Sequence, residues 1–540
     1  MDSPMGQRGQ LVRPSAKAIR ENEFPRCRSF FREEEWNRLA GEFCSRKRTS
    51  FSHFLKEISQ GLPIPPFLPD LAKLEEAYEK VRALRMPVSC ETHRMAVNPS
   101  LELLKLSWTN LPSLWNSEDE RQAPRRGEEW ALLWQHPREG GVRVKAASNE
   151  DLLALKMVMD DIKPKRLAQE ERLAMDSLEG VLDRAAQKGL LMVPWPEIRR
   201  SPDFPSGEIN EESYFTANVF TLQWHLTQTC DLHCRHCYDR SHRYSLRLHK
   251  GFEVLDDFSR FCEDRRVRGQ VSFTGGNPLL YPQFSALYRA AKERNFNLAI
   301  LGNPAPKERL EELSAIEPPL FYQISLEGLE AHNDFIRGAG HFQSALEFLD
   351  TLREMGIPSV VMLTLTRDNM DQIVPLAEIL RHKTDLFTFN RLALVGQGAH
   401  LHLPEKAPYI AFLKSYVEAA RTNPVVGLKD NLINILRYRE GIRFFGGCTG
   451  YGCGAAFNFV SLLPDGEVHA CRKFPSYIGN VLLDSLTDIY DSAFARRYRS
   501  GCSGCGGCDI RPVCGGCMAI AYSFGLNVFE EKDPFCFMAE

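Results

Sequence analysis

Residues 228–240 read QTCDLHCRHCYDR, which sets Cys230, Cys234 and Cys237 on one short loop in a CxxxCxxC pattern. The loop follows FTLQWHLTQT (220–229), an alternating stretch that predicts a β-strand. Three thiolates this close can ligate three irons of a four-iron four-sulfur cluster and leave the fourth iron open to an exogenous ligand. The same loop admits a zinc knuckle completed by a distant ligand, with His233 or His236 as recruits. Beyond the loop, QVSFTGG (270–276), FNLAILGN (296–303), FYQISLEG (321–328), SVVMLTLT (359–366) and LFTFNRLAL (386–394) predict five further strands. Helix-length segments such as 253–265 and 341–355 separate them. Six strands with crossover helices predict an α/β parallel sheet, open or barrel-like, with its chemistry at the strands' carboxyl ends.

Composition narrows the function classes. The chain has 540 residues, 43% hydrophobic and 25% charged, which excludes disorder as its overall state. Lys plus Arg is 67 against 70 for Asp plus Glu, a net charge of −3 that provides no bulk field toward nucleic acid or an anionic membrane. The basic run Arg46-Lys47-Arg48 has no interleaved aromatics and reads as a solvated face. No apolar run approaches the roughly 20 residues that span a bilayer, and MDSPMGQRGQLVRPSAK lacks an apolar signal core, so a cytoplasmic protein is expected. Of 16 cysteines, those outside the 230–237 loop and the 448–536 segment are Cys27, Cys44, Cys90 and Cys262. Tight clusters in a reducing compartment point to metal rather than disulfides, and the scattered four read as packed side chains.

Five regions are expected. Helical faces at Trp36-Leu39-Phe43, Phe51-Phe54-Leu55-Ile58 and Leu71-Leu74-Tyr78-Val81 make residues 1–85 a helical unit. Residues 86–200 are mixed, with EEWALLWQ and GGVRVKA as strands around a glycine turn. Helices marked by Leu152-Leu155-Met159-Ile162 and Leu178-Val181-Leu182-Ala185 follow, and then LLMVP, an order compatible with a winged helix. The polar stretch across 201–215 reads as a linker, 216–440 as the α/β unit, and 441–540 as a glycine- and cysteine-rich segment held together by metal.

The cysteine loop, TGGNP (274–278) after strand two and QISLEG (323–328) at strand four resemble the radical S-adenosylmethionine superfamily over about residues 218–400. The resemblance implies a partial (β/α)6 barrel. It also implies a cluster on Cys230, Cys234 and Cys237 whose open iron chelates S-adenosylmethionine, with reductive cleavage to a hydrogen-abstracting 5′-deoxyadenosyl radical. By the same resemblance, Gly275 and Gly276 let the backbone approach the methionine moiety. Ser325 and Glu327 take the polar strand-four positions that touch the ribose and methionine ends, and His236 and Tyr238 fall near cluster and adenine. Asn277 stands where the family usually has Glu. Arg337 and Gly338 lie at the active-site edge.

Toward the C-terminus, Cys453 and Cys471 flank Gly466, and Cys505-x2-Cys508-x5-Cys514-x2-Cys517 precedes Cys536. Paired CxxC motifs mark metal without naming it, zinc ribbon included. The pattern resembles the SPASM domain of peptide-modifying radical enzymes, which implies two auxiliary four-iron four-sulfur clusters and three clusters in all. In that alignment Cys448, Cys453, Cys471 and Cys517 hold the first and Cys505, Cys508, Cys514 and Cys536 the second. The last CxxC is one residue shorter than is common in relatives, and Cys502 is an extra thiol.

The N-terminal PFLPDLAKLEEAYEKV and HRMAVNPSLELLKLSWTNLPSLW resemble a domain that carries a DNA-binding label and presents precursor peptides in partners of multinuclear iron oxidases. The winged-helix pattern resembles precursor-recognition elements that bind a leader by strand addition. With GCGAAFNFVSLLPDGEVHACRKFPS, the whole resembles radical maturases for thiooxazole or selenooxazole modification. These resemblances imply a ribosomally synthesised, cysteine-rich or selenocysteine-containing precursor as partner, and a reductant such as flavodoxin or ferredoxin. A sulfatase-type formylglycine maturase is the rival within enzymes, and an iron-sulfur electron-transfer or scaffold protein the rival outside them.

Overall fold

The computed structural model describes residues 24–46, 50–59, 61–84, 95–116, 123–137, 140–162, 175–193 and 196–539. The chain divides into two units, Met1–Trp195 and Pro196–Glu540.

In the first unit, the apolar spacing yields helices Glu33–Ser45, Phe51–Ile58 and Leu68–Ala83. Ser50 caps the second by accepting from the His53 N–H, and Pro69 sits in the first turn of the third, where its missing N–H costs nothing. The strands β1 (Ala96–Val97), β2 (Glu102–Thr109), β3 (Arg125–Gln135) and β4 (Val142–Ala146) follow. β2, β3 and β4 form an antiparallel sheet whose β3–β4 turn uses Gly140 and Gly141 at positive φ. Trp36, Phe51, Phe54, Leu71 and Leu74 share one core with Leu106, Leu133 and Val144 of that sheet, so the expected boundary at 85/86 does not separate two cores. A second core joins Leu132 and Trp134 to helices Asn149–Met159 and Met175–Gln187 and to β5 (Leu191–Met192), which pairs with β1. In the first of these helices Ala154, Leu155 and Met157 are buried, while Met159, expected on the apolar face, is 73% exposed.

The second unit is built on one sheet. β6 (Val219–Thr227), β7 (Arg268–Gly275), β8 (Asn297–Leu301), β9 (Phe321–Ser325), β10 (Ser359–Leu365) and β11 (Leu386–Arg391) lie side by side in chain order, all parallel. Helices such as Leu248–Arg265, Phe284–Glu293 and His341–Glu354 connect them. The sheet continues past β6 into β12 (Phe459–Leu462), parallel to β6, and then into antiparallel β13 (Glu467–His469) and β14 (Tyr477–Asn480).

Two expectations change here. Residues 201–215 are not a free linker: Ile198, Ile209 and Tyr214 belong to the core of this unit, Arg199 bridges to Thr216, and the Glu208 N–H donates to the Asp509 carbonyl. Residues 441–540 are not held by metal alone either, because Phe457, Val460, Leu462, Val468, Ile478, Ile489 and Ile520 lie in the same core as the parallel strands.

Candidate active site and iron-sulfur ligands

A buried parallel strand is ordinarily apolar on both faces. β6 departs from this: Phe220, Leu222, Trp224 and Leu226 pack outward into the core, while Thr221, Gln223, His225 and Thr227 line a cavity of about 1170 Å³. Gln270, Ser272 and Thr274 of β7, Gln323 and Ser325 of β9, Thr364 of β10 and Asn390 of β11 continue the polar lining. The alternation was visible in FTLQWHLTQT, but it was used only to assign a strand. Read as a polar inner face, it would have pointed to His225 and Gln223. His225 is 2% exposed and its buried Nε2 has no partner. Burial, with Arg472 and His469 nearby, holds its pKa well below the usual histidine range, so it is neutral at pH 7.

The cysteine loop leaves β6 at its carboxyl end, as expected for chemistry on a parallel sheet. Cys230, Cys234 and Cys237 all line the cavity. Backbone bonds tie the loop to its surroundings: the Asn277 N–H donates to the Thr229 carbonyl (2.8 Å), the Arg235 N–H to the Ile336 carbonyl (2.9 Å) and the Gln397 N–H to the Cys237 carbonyl (2.8 Å). Gly275 and Gly276 border the cavity too, but their lack of a Cβ has a nearer cause. A side chain on either would run into the Thr227 or Thr229 carbonyl, so the glycines let the β7 exit pack on the cysteine loop. Asn277 lies behind the loop rather than on the cavity wall, donating to Asp231 Oδ1 (3.2 Å) and accepting from the Leu279 N–H. Asn303, which sequence reasoning passed over, also donates to Asp231 and lies 3.6 Å from Cys230 Sγ.

Glu327 is likewise not on the wall. It is buried, with Arg337 Nη2 at 2.7 Å and Nε at 3.0 Å, the Thr364 N–H at 2.8 Å and His236 Nε2 at 3.3 Å. Burial alone would raise its pKa, but His236, Arg337 and the Thr364 N–H outweigh it and hold the carboxyl below the usual range. Glu327 thus ties the cysteine loop to the exits of β9 and β10, and His236 faces this carboxylate. Ser325 and Arg337 do border the cavity. So does Tyr238, pushed up to about 12 by burial, with the Arg472 guanidinium over its ring at 5.0 Å. Arg472 also pairs with Asp239, which accepts from Gln228 at 2.6 Å.

The C-terminal cysteines form two sets. Cys448, Cys453, Cys471 and Cys517 border a small pocket of about 70 Å³, and Cys448 and Cys471 border the large cavity as well. Burial first, then Cys517 and Cys453, push the Cys471 thiol up to about 12. Burial and then Cys508, Cys536 and Cys505 push Cys514 well up, which marks these four as neighbours. Cys502 is hydrogen-bonded to Cys505 at the edge of the second set. Among the described residues no three His, Cys, Asp or Glu side chains are drawn together tightly enough for a single metal ion, so the cysteines come together as looser sets. All are free thiols. Free thiols, three on one open loop and eight in two sets of four, have the donor chemistry that iron-sulfur clusters require.

Residues 224–380 match the radical SAM superfamily, and residues 453–518 match the SPASM iron-sulfur cluster-binding domain. Mycofactocin maturase MftC of Mycobacterium ulcerans is 29% identical over 58% of this chain and 87% of its own length. The antilisterial bacteriocin subtilosin biosynthesis protein AlbA of Bacillus subtilis is 26% identical over 58% of this chain and 70% of its own. The AdoMet-dependent heme synthase of Methanosarcina barkeri is 26% identical over 58% and 95%. The crystal structure of Streptococcus suis SuiB bound to S-adenosylmethionine aligns over 76% of this chain and 96% of that one, at 16% identity and a TM-score of 0.48. Among the described residues no helix is long and apolar enough to cross a membrane. With its open cysteine loop at the mouth of a polar cavity and both domain matches in place, the chain is a radical SAM enzyme with a SPASM domain, homologous to peptide maturases.

Proposed function

We propose that this chain modifies a ribosomally synthesised precursor peptide whose reacting segment enters the cavity at the carboxyl ends of β6 to β11. The observation that carries this reading is a shared wall: Cys230, Cys234 and Cys237 line the same cavity as Cys448 and Cys471. At about 1170 Å³ it exceeds the usual single-ligand pocket of about 300–1,000 Å³, which leaves room for a cofactor and a peptide segment together. Cys230, Cys234 and Cys237 would hold the catalytic cluster, and the two C-terminal sets of four would hold auxiliary clusters, three in all. When bound, the cluster with S-adenosylmethionine supplies a 5′-deoxyadenosyl radical that removes a substrate hydrogen atom. Ser325, Arg337, Tyr238 and the Gly275-Gly276 backbone would orient that cofactor, with Glu327 and Asn277 fixing the loop from behind. A flavodoxin- or ferredoxin-type reductant would supply the electron.

Within this reading the substrate is a cysteine-rich or selenocysteine-containing peptide, modified to a thiooxazole or selenooxazole type of product. The N-terminal unit, read as winged-helix-like, would hold its leader. The maturases among the relatives support the peptide reading; the additional N-terminal unit supports the leader-bound form over a formylglycine-generating one.

The test is anaerobic turnover with reductant, S-adenosylmethionine and a short cysteine-containing candidate precursor peptide, followed by mass spectrometry. A mass change in the peptide with matching 5′-deoxyadenosine is expected. Cofactor cleavage without any peptide change would sink the substrate assignment. Deleting Met1–Trp195 should spare uncoupled cleavage and slow modification by about 10²–10⁴, the loss expected when a tethered segment loses its effective concentration.

A further inference from the structure

Beside both C-terminal cysteine sets lie two guanidinium side chains, Arg200 and Arg511, that among the described residues have no carboxylate to answer them. Arg200 comes from the stretch just after the unit boundary. Its Nη1 donates to the Arg499 carbonyl (2.7 Å), and its Nη2 to the Tyr451 (3.0 Å) and Cys453 (2.8 Å) carbonyls. Its buried Nε has no partner. Phe457 at 4.0 Å and Phe204 at 4.6 Å cover its two sides, and Arg511 stacks on Phe204 at 5.0 Å. Arg511 is 4% exposed and donates to the Ser500 carbonyl (2.9 Å). Among the described residues neither Arg200 nor Arg511 has a carboxylate within ion-pair distance.

The loops are shaped around Arg511. Gly501 and Gly515, beside Cys502 and Cys514, are the positions where an added Cβ would strike its guanidinium. The anionic partners within reach are thiolates. Arg200 reaches the first set through the Cys453 carbonyl, and Arg511 lies between Cys508 and Cys514 of the second, its N–H donating to the Cys508 carbonyl (3.1 Å) and its carbonyl accepting from the Cys514 N–H (3.4 Å). A buried, unpaired charge is costly, and Arg511 is buried while the half-buried Arg200 has a buried, unpartnered Nε, so the two side by side call for negative charge in the same place. A cluster carried by four thiolates supplies it, and gains more when it accepts an electron.

We propose that Arg200 and Arg511 are positioning residues wedged between the two auxiliary cysteine sets, where their permanent charge offsets the thiolates and raises the reduction potentials of both auxiliary clusters. This rests on the auxiliary-cluster reading above. Net charge and hydrogen bonding around a cluster are among the determinants of its potential, and the negative charge of a thiolate-borne cluster keeps a lysine at either position protonated as well. The charge is delivered by a residue outside the SPASM match, which gives the packed segment after Pro196 a role beyond connection.

The experiment uses the full chain reconstituted anaerobically, with iron counted and midpoint potentials followed by electron paramagnetic resonance. Wild type comes first: fewer than about eight irons beyond the loop cluster would overturn the auxiliary-cluster reading itself, independently of the arginines. Arg200→Gln and Arg511→Gln are each expected to keep the loop cluster unchanged and to shift the auxiliary one-electron equilibria at least tenfold toward the oxidised form, about 59 mV. Arg200→Lys and Arg511→Lys should stay near wild type. Should the glutamine variants shed auxiliary iron while the lysine variants retain it, charge is again the requirement. Unchanged potentials in the glutamine variants refute the proposal. So do lysine variants that behave like the glutamine ones, since shape rather than charge would then be what matters.

Discussion

The two places where cysteines gather are built on opposite plans. The 228–240 loop hangs from the end of β6 by backbone bonds, its thiols face a cavity, and the outward apolar side of the sheet owes it nothing. Among the C-terminal thiols, Cys514 lies in the apolar core and Cys453, Cys471, Cys508, Cys517 and Cys536 pack against it, on loops shaped around the buried Arg511. On the proposed function, the site for reaction would lie where its removal spares the fold, and the auxiliary sites would lie where they are part of it.

Replacing Cys230, Cys234 and Cys237 together with Ala is the largest expected effect on activity. Reductive cleavage of S-adenosylmethionine should fall to background while circular dichroism and the unfolding midpoint stay near wild type. Loss of the fold would erase the contrast between the two regions.

Cys514→Ala should behave in the opposite way. About four of about twelve irons should go, and residues 441–540 should become sensitive to limited proteolysis while the loop cluster persists. Full protease resistance would mean that the apolar core alone holds this segment.

The buried pair behind the loop gives a smaller effect. Glu327→Gln leaves Arg337 without its counter-charge and should cost about 3 kcal/mol in denaturant unfolding, more than Asp239→Asn near the cavity. Equal costs would place the anchoring of the loop elsewhere.

The smallest expected effect is in acid. His341 is buried, and burial with Arg337 nearby lowers its pKa to about 4. Between about pH 6.5 and 4 the unfolded chain binds the extra proton, so stability falls as pH drops through that window and is flat above it. His341→Asn should flatten the decline by at most about 3 kcal/mol. A profile unaltered by the substitution would assign the acid sensitivity to other groups.

The six parallel strands were legible because such a sheet writes itself as apolar runs spaced by helices, whereas the two sets of C-terminal cysteines came only from the resemblance to the SPASM domain. What sequence could not supply was direction. Asn277 and Glu327 were singled out as polar residues at strand ends, yet both turn behind the loop, because whether a strand-end side chain faces a cavity or a neighbouring loop depends on contacts 46 and 37 residues away. The reading of 201–215 as a linker failed for a related reason. Its polar composition hides Ile209 and Tyr214, whose burial depends on partners near residues 444 and 509. Arg391 escaped notice altogether, since a single arginine at a strand end says nothing of the two aspartates, Asp430 and Asp533, that enclose it.

The pairing of β12 with β6 bears on how the molecule is made. During synthesis β6 emerges more than two hundred residues ahead of the strand that will cover its open edge. At about 5–20 residues per second that edge stays unsatisfied on the order of tens of seconds, with the three thiols of the 228–240 loop already displayed beside it. An exposed edge of this kind invites pairing with other chains. Slowing translation between residues 227 and 459 should therefore lengthen the exposure of this edge and lower the soluble yield.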